Sequence, residues 1–205
     1  MVDLKFRVLN MDAYQYASSP TIKMDIEILN NDKDEIISVV GKIDIFLEFV
    51  SYDQNFGTPL VGREYLTSGN MVSPKFTDTC NVTVNVPITA EMDANILYRL
   101  RESKRTTLIP FIITLDGFAL YKNGDKFLYY QLPTEPLLEA KYYMSIDKWN
   151  SIIRTFYGAD LVWIKLRRDV VDKIEERKRK YFYLSYTDLI EDLLKRTEEK
   201  ENVQK

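Results

Sequence analysis

Thr21-Ile22-Lys23-Met24-Asp25-Ile26-Glu27-Ile28 is the stretch that decides the fold. Ile22, Met24, Ile26 and Ile28 alternate without a break with Lys23, Asp25 and Glu27, and a period of two sends the two sets to opposite faces of an extended strand. The run stops at Asn30-Asn31-Asp32-Lys33-Asp34, a turn by composition. Outward along the chain the same alternation returns in Leu4, Phe6 and Val8, in Ile43, Ile45, Leu47 and Phe49, and in Val82, Val84 and Val86. Strands with one wet face belong to antiparallel sheets packed on one side, because strands buried on both faces read as continuous apolar runs.

The expected fold class is therefore mainly β with α+β character: an antiparallel immunoglobulin-like β-sandwich over residues 1–144, followed by a C-terminal helical region. Tyr121-Lys122-Asn123-Gly124-Asp125-Lys126-Phe127 predicts a hairpin, with Asn-Gly supplying the positive φ angles of a two-residue type I′ turn between Thr107–Tyr121 and Lys126–Leu132. Asp116-Gly117 is the expected bulge or bend in the long first arm. A short helix is expected over 89–102, with Thr89 as N-cap and Ile96, Leu97 and Leu100 on one face. Residues 51–79 mix Gly57, Pro59, Gly62, Gly69 and Pro74 with isolated aromatics and read as a long connection with at most one short strand.

From Ser145 the period becomes helical. Ile146, Trp149, Ile152, Ile153 and Phe156 share a face, and Gly158 is the expected stop. Leu161-Val162-Trp163-Ile164-Lys165-Leu166 reads as extended. A second helix is expected from N-cap Asp169, with Val170, Val171, Ile174, Lys178 and Tyr181 on one side. A third starts at Ser185, where Ser-x-x-Asp to Asp188 has the form of a capping box. Residues 145–197 are expected to pack on the sandwich, and 198–205 to fray as a charged tail.

Composition excludes much chemistry. Among 205 residues there is no histidine and one cysteine, Cys80. Ser-His-Asp and Cys-His catalysis, zinc held by Cys/His sets and histidine-ligated haem are thereby ruled out within the chain. Cys80 has no disulfide partner, falls in the apolar phase of its strand and reads as a small core residue. The start of the chain lacks the apolar block of a signal peptide, and no run approaches the ~20 apolar residues of a membrane span. A cytoplasmic protein without membrane insertion is expected. The net charge is -3, from 28 basic and 31 acidic residues, so nucleic acid is not an expected partner.

Carboxylates remain as possible acid-base groups, yet most lie on the polar phase of strands, the pattern of a solvated face. Asn30 to Glu35 gathers oxygen ligands but lacks the spacing and glycine of a calcium loop, and the glycines form no phosphate-cradling motif. No catalytic, cofactor-binding or metal-binding residue is assigned. Arg167-Arg168, Lys173 and Arg177-Lys178-Arg179-Lys180 form a basic stretch that Asp169, Asp172, Glu175 and Glu176 largely neutralise, either a solvated helix or a partner-binding patch. Tyr129-Tyr130 and Tyr142-Tyr143 place one ring of each pair in the core and one outside, and exposed tyrosines on a sheet serve protein docking as well as ordinary strand composition.

Several segments together resemble a bacterial and archaeal family of unknown function: Ser145-Ile146-Asp147-Lys148-Trp149, Phe156-Tyr157-Gly158, Trp163-Ile164-Lys165-Leu166-Arg167-Arg168-Asp169, Ser185-Tyr186 and Leu193-Leu194. Pro20-Thr21 and Leu108-Ile109-Pro110-Phe111 before Gly117 extend the resemblance through nearly the whole chain. Members are often encoded beside uptake nickel-iron hydrogenase genes, which implies an accessory or assembly role and a protein partner in that system. The leading functional expectation is a non-catalytic subunit or assembly factor of a larger cytoplasmic complex, with Trp163, Arg167, Arg168, Arg177 and Tyr181 as partner-contact residues. The alternatives are a self-assembling structural protein of a virus or surface layer, and a carboxylate-based hydrolase.

Overall fold

Each alternating segment forms a strand whose apolar phase is buried, or at Val8 and Phe49 half-buried. The computed structural model describes all of the chain except Met1, Lys33 and residues 53–58, 103–106, 159–163, 165 and 204–205. The chain divides into two compact units, Met1–Trp163 and Ile164–Lys205. The first holds β1 (Leu4–Ala13), β2 (Thr21–Asn30), β3 (Glu35–Tyr52), β4 (Pro59–Val72), β5 (Thr79–Pro87), α1 (Ala90–Glu102), β6 (Leu108–Asn123), β7 (Lys126–Gln131), β8 (Leu138–Ser145) and α2 (Ile146–Tyr157). Strands β1-β2-β5 form one sheet, and β4-β3-β6-β7 form the other, where β8 also pairs with β6. All pairs are antiparallel. Successive strands cross between the sheets at β2–β3, β4–β5 and β5–β6, the pattern of an immunoglobulin-like sandwich. Ile22, Met24, Ile26 and Ile28 of one sheet and Ile43, Ile45, Phe111, Ile113 and Leu115 of the other are buried in the common core.

The largest departure from expectation is β4. It is a full strand paired with β3 from Val72 to Pro59, not a connection. Its register shifts opposite Ile45/Phe46, where Leu66 is the extra residue, and Leu66 and Thr67 are consecutively buried. The bulge reverses the phase, so the inward positions are Gly62, Glu64 and Leu66 before it and Thr67, Gly69 and Met71 after it. Such a set has no apolar period to read. Leu9 plays a similar part in β1, where the register shifts between Val8 and Asn10 and Met11 returns to the core.

The hairpin after β6 forms, but one residue along from the expected turn. Asn123 pairs with Lys126, leaving Gly124-Asp125 as the two-residue loop. Gly124 has φ 59, and neither Asn123 nor Asp125 is left-handed, which is the pattern of a type II′ rather than a type I′ turn. Gly117 does mark a change in β6. Up to Leu115 the strand pairs with β8, and from Phe118 it pairs with β7. Gly117 (φ 151) sits directly opposite Gly41 of β3, and a Cβ built on it would lie 2.2 Å from the Val40 carbonyl oxygen.

The helices α1 and α2 both belong to the sandwich unit. The division of the chain thus falls after Trp163 rather than at the change of period at Ser145, because α2 buries Trp149, Ile152 and Ile153 in the sandwich core. Ser145 caps α2 by accepting from the Lys148 N–H at 3.2 Å, and Gly158 ends it, its N–H donating to the Arg154 carbonyl. Thr89 caps α1 through a 3.0 Å bond from the Met92 N–H. The fully buried Trp149 indole donates to Asp93 of α1 at 2.8 Å and packs against Phe111 of β6. Burial of so large a ring is worth several kcal/mol only while its N–H has a partner, which Asp93 supplies.

The second unit contains α3 (Arg168–Lys180) and α4 (Tyr186–Val203). Arg167, not Asp169, is the N-cap of α3. Ser185 and Asp188 form the expected reciprocal capping box, each side chain accepting from the other's backbone N–H at 3.0 Å. Helix α4 continues to Val203, past the expected fraying point at 198.

Replacing Gly117 by alanine is expected to lower the thermal midpoint well beyond the effect of Gly124→Ala. Both add a Cβ at positive φ, a cost of about 1 kcal/mol, but nothing lies within 4 Å of a Cβ at Gly124. Equal midpoints for the two variants in thermal melts would remove the close-approach argument.

Candidate interaction surfaces

The residues expected to contact a partner do not form one patch. Trp163 lies outside the described residues. Arg167 is exposed at the start of α3, where its guanidinium meets Asp169 at 3.1 Å, and Arg168 beside it is exposed in the first turn. Both sit at the end of the helix where the backbone dipole disfavours positive charge. Arg177 lies ten residues further on, about 15 Å along the axis at 1.5 Å per residue. Its guanidinium carbon is 5.7 Å from the centroid of the Tyr181 ring, and both residues are exposed. The structure therefore joins Arg177 with Tyr181 and separates them from Arg167 and Arg168.

Around that second pair the side chains are well connected. Lys180 Nζ lies 5.6 Å from the Tyr181 ring centroid, and Lys178 Nζ lies 4.6 Å from that of Tyr186. Tyr186 donates to Glu175 at 3.2 Å. Asp192 accepts from the Tyr183 hydroxyl and from Arg196 Nε, the latter at 2.9 Å. The Tyr183 bond, then the Arg196 charge, hold the Asp192 carboxyl below its ordinary value, while the same hydrogen bond pushes the Tyr183 phenol up. Val170, Val171 and Ile174 are only half-buried, and α3 has no buried residue.

A second surface, on the outer face of the five-stranded sheet, escapes the sequence. Two outward-pointing residues of β6, Ile112 and Thr114, are buried, although the sandwich core lies on the other side of the sheet. The cause is a roof of long side chains. Arg63 of β4 reaches diagonally to Glu139 of β8, with two bonds of 2.6 and 3.1 Å, and Lys141 of β8 bonds Glu48 of β3 at 3.0 Å. Glu48 holds the Lys141 ammonium above its ordinary pKa, and Asp44, 2.7 Å from Lys42 Nζ, does the same for Lys42. These lysines stay charged until pH rises past the ordinary lysine range, so their pairs persist through neutral pH.

Exposed rings flank the roof. Tyr65 packs edge-on against Phe46, Phe118 stacks on Tyr129 with centroids 5.1 Å apart, and Tyr129 also bonds Gln131. Tyr65, Tyr129 and Tyr143 are all more than half exposed. Their inward neighbours Tyr130 and Tyr142 pack against the core, so the tyrosine doublets divide between core and surface as their alternation predicts. The doublets were the one sequence signal for this face. Its ion pairs join residues 76 and 93 positions apart, a separation no local pattern encodes.

Other polar groups of the sandwich unit make contacts within the fold. Burial pushes the Cys80 thiol up, away from the reactive thiolate. Among the strand carboxylates, Glu27 is held by Arg7, Asp25 by Thr83, and Glu64 by Asn95 and Arg99 of α1. The Asn30–Glu35 turn is organised by Asn30, whose amide donates to the Asp34 and Thr77 carbonyls at 2.8 Å and whose oxygen accepts from the Asp32 N–H. Among the described residues no three His, Cys, Asp or Glu side chains are grouped to hold a metal ion, and no helix is long and apolar enough to cross a membrane.

Comparison with known proteins locates the chain in sequence space. A family model described as a family of unknown function (DUF6084) matches residues 63–202. The chain belongs to this family. The DUF6084 match begins in β4 and runs through α4, so it spans the division between the two units. No curated protein matches. Solved structures with similarity include a protein from Archaeoglobus fulgidus, 8% identical with a TM-score of 0.31, over 71% of this chain and 97% of that one. A β-glucosidase from Kluyveromyces marxianus in complex with glucose is also 8% identical, with a TM-score of 0.27 over 71% of this chain and 14% of that one. Likenesses at these scores carry no argument about activity.

With no histidine and Cys80 pushed upward, thermal stability is expected to be flat between about pH 6 and 8. A midpoint that moves by more than a degree or two across that window would point to a titrating group the fold does not account for. In a double-mutant cycle, Arg63→Ala and Glu139→Ala should couple by less than about 1 kcal/mol, since the pair is partly exposed, and the coupling should fall with added salt.

Proposed function

We propose that this DUF6084 protein is a non-catalytic accessory or assembly subunit of a larger cytoplasmic complex, and that it docks a different protein through the outer face of its five-stranded sheet. The observation that carries the reading is the set of exposed Tyr65, Tyr129 and Tyr143 around an ion-paired centre. Rigid aromatic rings lose little conformational freedom on docking and dominate the energetics of protein interfaces. The rings stand on paired strands of one sheet, and Tyr65 and Tyr129 pack on Phe46 and Phe118, which lowers the ordering cost of association. The paired state of the strand carboxylates supports a binding role over acid-base chemistry, which needs a carboxyl poised to exchange its proton. The resemblance to proteins encoded beside uptake nickel-iron hydrogenase genes makes components of that system the first partners to examine.

Affinity purification from the native cell, with the wild-type chain and a Tyr65→Ser/Tyr129→Ser variant side by side, tests the reading. A partner in fixed proportion to the wild type, reduced about tenfold or more with the variant, is the expected result, since two lost aromatic anchors cost at least 1.4 kcal/mol. An unchanged set of co-eluting proteins would sink the assignment of this face. A concentration-dependent rise in mass of the pure protein, abolished by the same substitutions, would replace it with self-assembly.

A further inference from the structure

The turn between α3 and α4 carries a residue that its own backbone disfavours. Tyr183 N–H donates to the Lys178 carbonyl at 3.1 Å and Phe182 N–H to the Arg179 carbonyl at 3.4 Å, which together make a Schellman closure of the helix. That closure places Phe182 at φ 57, in the left-handed region where glycine is the usual occupant. Among the described residues Phe182 is the only one besides glycine with positive φ. A bulky side chain in this position is normally repaid by packing, but the Phe182 side chain is 89% exposed. Leu184, two residues on, is 92% exposed. Two large apolar side chains thus project from the α3–α4 turn, and among the described residues no packing repays the left-handed backbone of Phe182.

The surroundings of the tip indicate what does recover it. Arg177, Lys178, Arg179 and Lys180 fill the last turn of α3, and three of them hold their charges beside the Tyr181 and Tyr186 rings. Several neighbouring acids are engaged: Glu175 by Tyr186 and Arg179, Asp188 by the cap of α4, and Asp192 by Tyr183 and Arg196. We propose that this tip is a peripheral membrane anchor, in which Phe182 and Leu184 enter the acyl boundary of an anionic bilayer and the cations meet lipid phosphates, with Tyr181 and Tyr183 at headgroup level. Separate apolar prongs with a basic collar and an aromatic belt match a lipid interface, which is fluid and negatively charged. The proposal concerns a different surface from the sheet face and stands apart from the protein-partner reading.

The test is co-sedimentation of the full chain with vesicles of pure phosphatidylcholine and of phosphatidylcholine mixed with phosphatidylglycerol, at low and high salt. Binding should be confined to the anionic vesicles and weaken with salt. Phe182→Gly should reduce it about tenfold or more while slowing hydrogen exchange at the end of α3, because glycine relieves the left-handed strain. Leu184→Ser and the double change Arg179→Glu/Lys180→Glu should each reduce it too, and Tyr65→Ser/Tyr129→Ser should leave it unchanged. Absence of binding to the anionic vesicles, or full binding by Phe182→Gly, overturns the anchor. A protein that co-purifies through Phe182 and Leu184, with no vesicle binding, would assign the tip to a protein pocket instead.

Discussion

The backbone contact between Gly41 and Gly117 sets the arrangement of the larger sheet. Strand β6 runs alongside β3 over most of its length, but on its other side it serves β8 first and β7 afterwards. The exchange of partners happens at Gly117, whose carbonyl receives both the Leu132 N–H and the Gln131 side-chain amide. Gly41 on the facing strand allows β3 to approach closely at that point, since a Cβ there would sit 2.6 Å from the Asp116 carbonyl oxygen. With side chains in either place the strands would separate where the sheet changes neighbours. The hairpin, β8 and the outer face all take their positions from this pair.

A second constraint ties the helices to the sandwich. Trp149 brings its ring into the core from α2 and its N–H to Asp93 of α1, while Glu64 of β4 binds Asn95 and Arg99 of the same helix. Glu64 occupies an inward position in its strand, so a potential liability in the core becomes the fastening of α1. The surfaces proposed for function are built otherwise. On the sheet face, charge pairs between distant strands cover Ile112 and Thr114, and exposed rings surround them; on the hairpin tip, apolar side chains stand unshielded among cations.

How much of this the sequence discloses follows from the range of the interactions. Period-two runs placed β1, β2, β3 and β5, and the caps at Thr89, Ser145, Ser185 and Gly158 are readable because a cap is a contact over three or four residues. Strand β4 is hidden because Leu66 breaks the phase and two inward positions are glycines. The hairpin turn falls one residue beyond Asn-Gly because Asn-Gly and Gly-Asp both satisfy a two-residue loop, and strand register decides between them. Phe182 is illegible in a different sense: glycine signals a left-handed position by its presence, whereas phenylalanine there gives no sign. Arg167 and Arg177 look like one basic stretch in sequence, and only the rise of the helix shows them to be separate.

Strand β6 also governs how this chain reaches its structure. Its β3 contacts close a loop that includes β4, β5 and α1, so the central pairing of the larger sheet is among the most non-local in the molecule. The β6–β7 hairpin closes across two residues and can form within microseconds, but it gains a sandwich to lean on only once it docks on β3. Chains whose core pairings span such distances fold on the millisecond-to-second scale, with unpaired strand edges open in the interval. Because β3 precedes β6 in the chain, the edge of β3 that β6 will cover stands open to any other extended segment until β6 arrives. Phe46 and Leu47, which meet Ile112 and Phe111 in the finished fold, are therefore among the residues most in need of protection while the chain is being made.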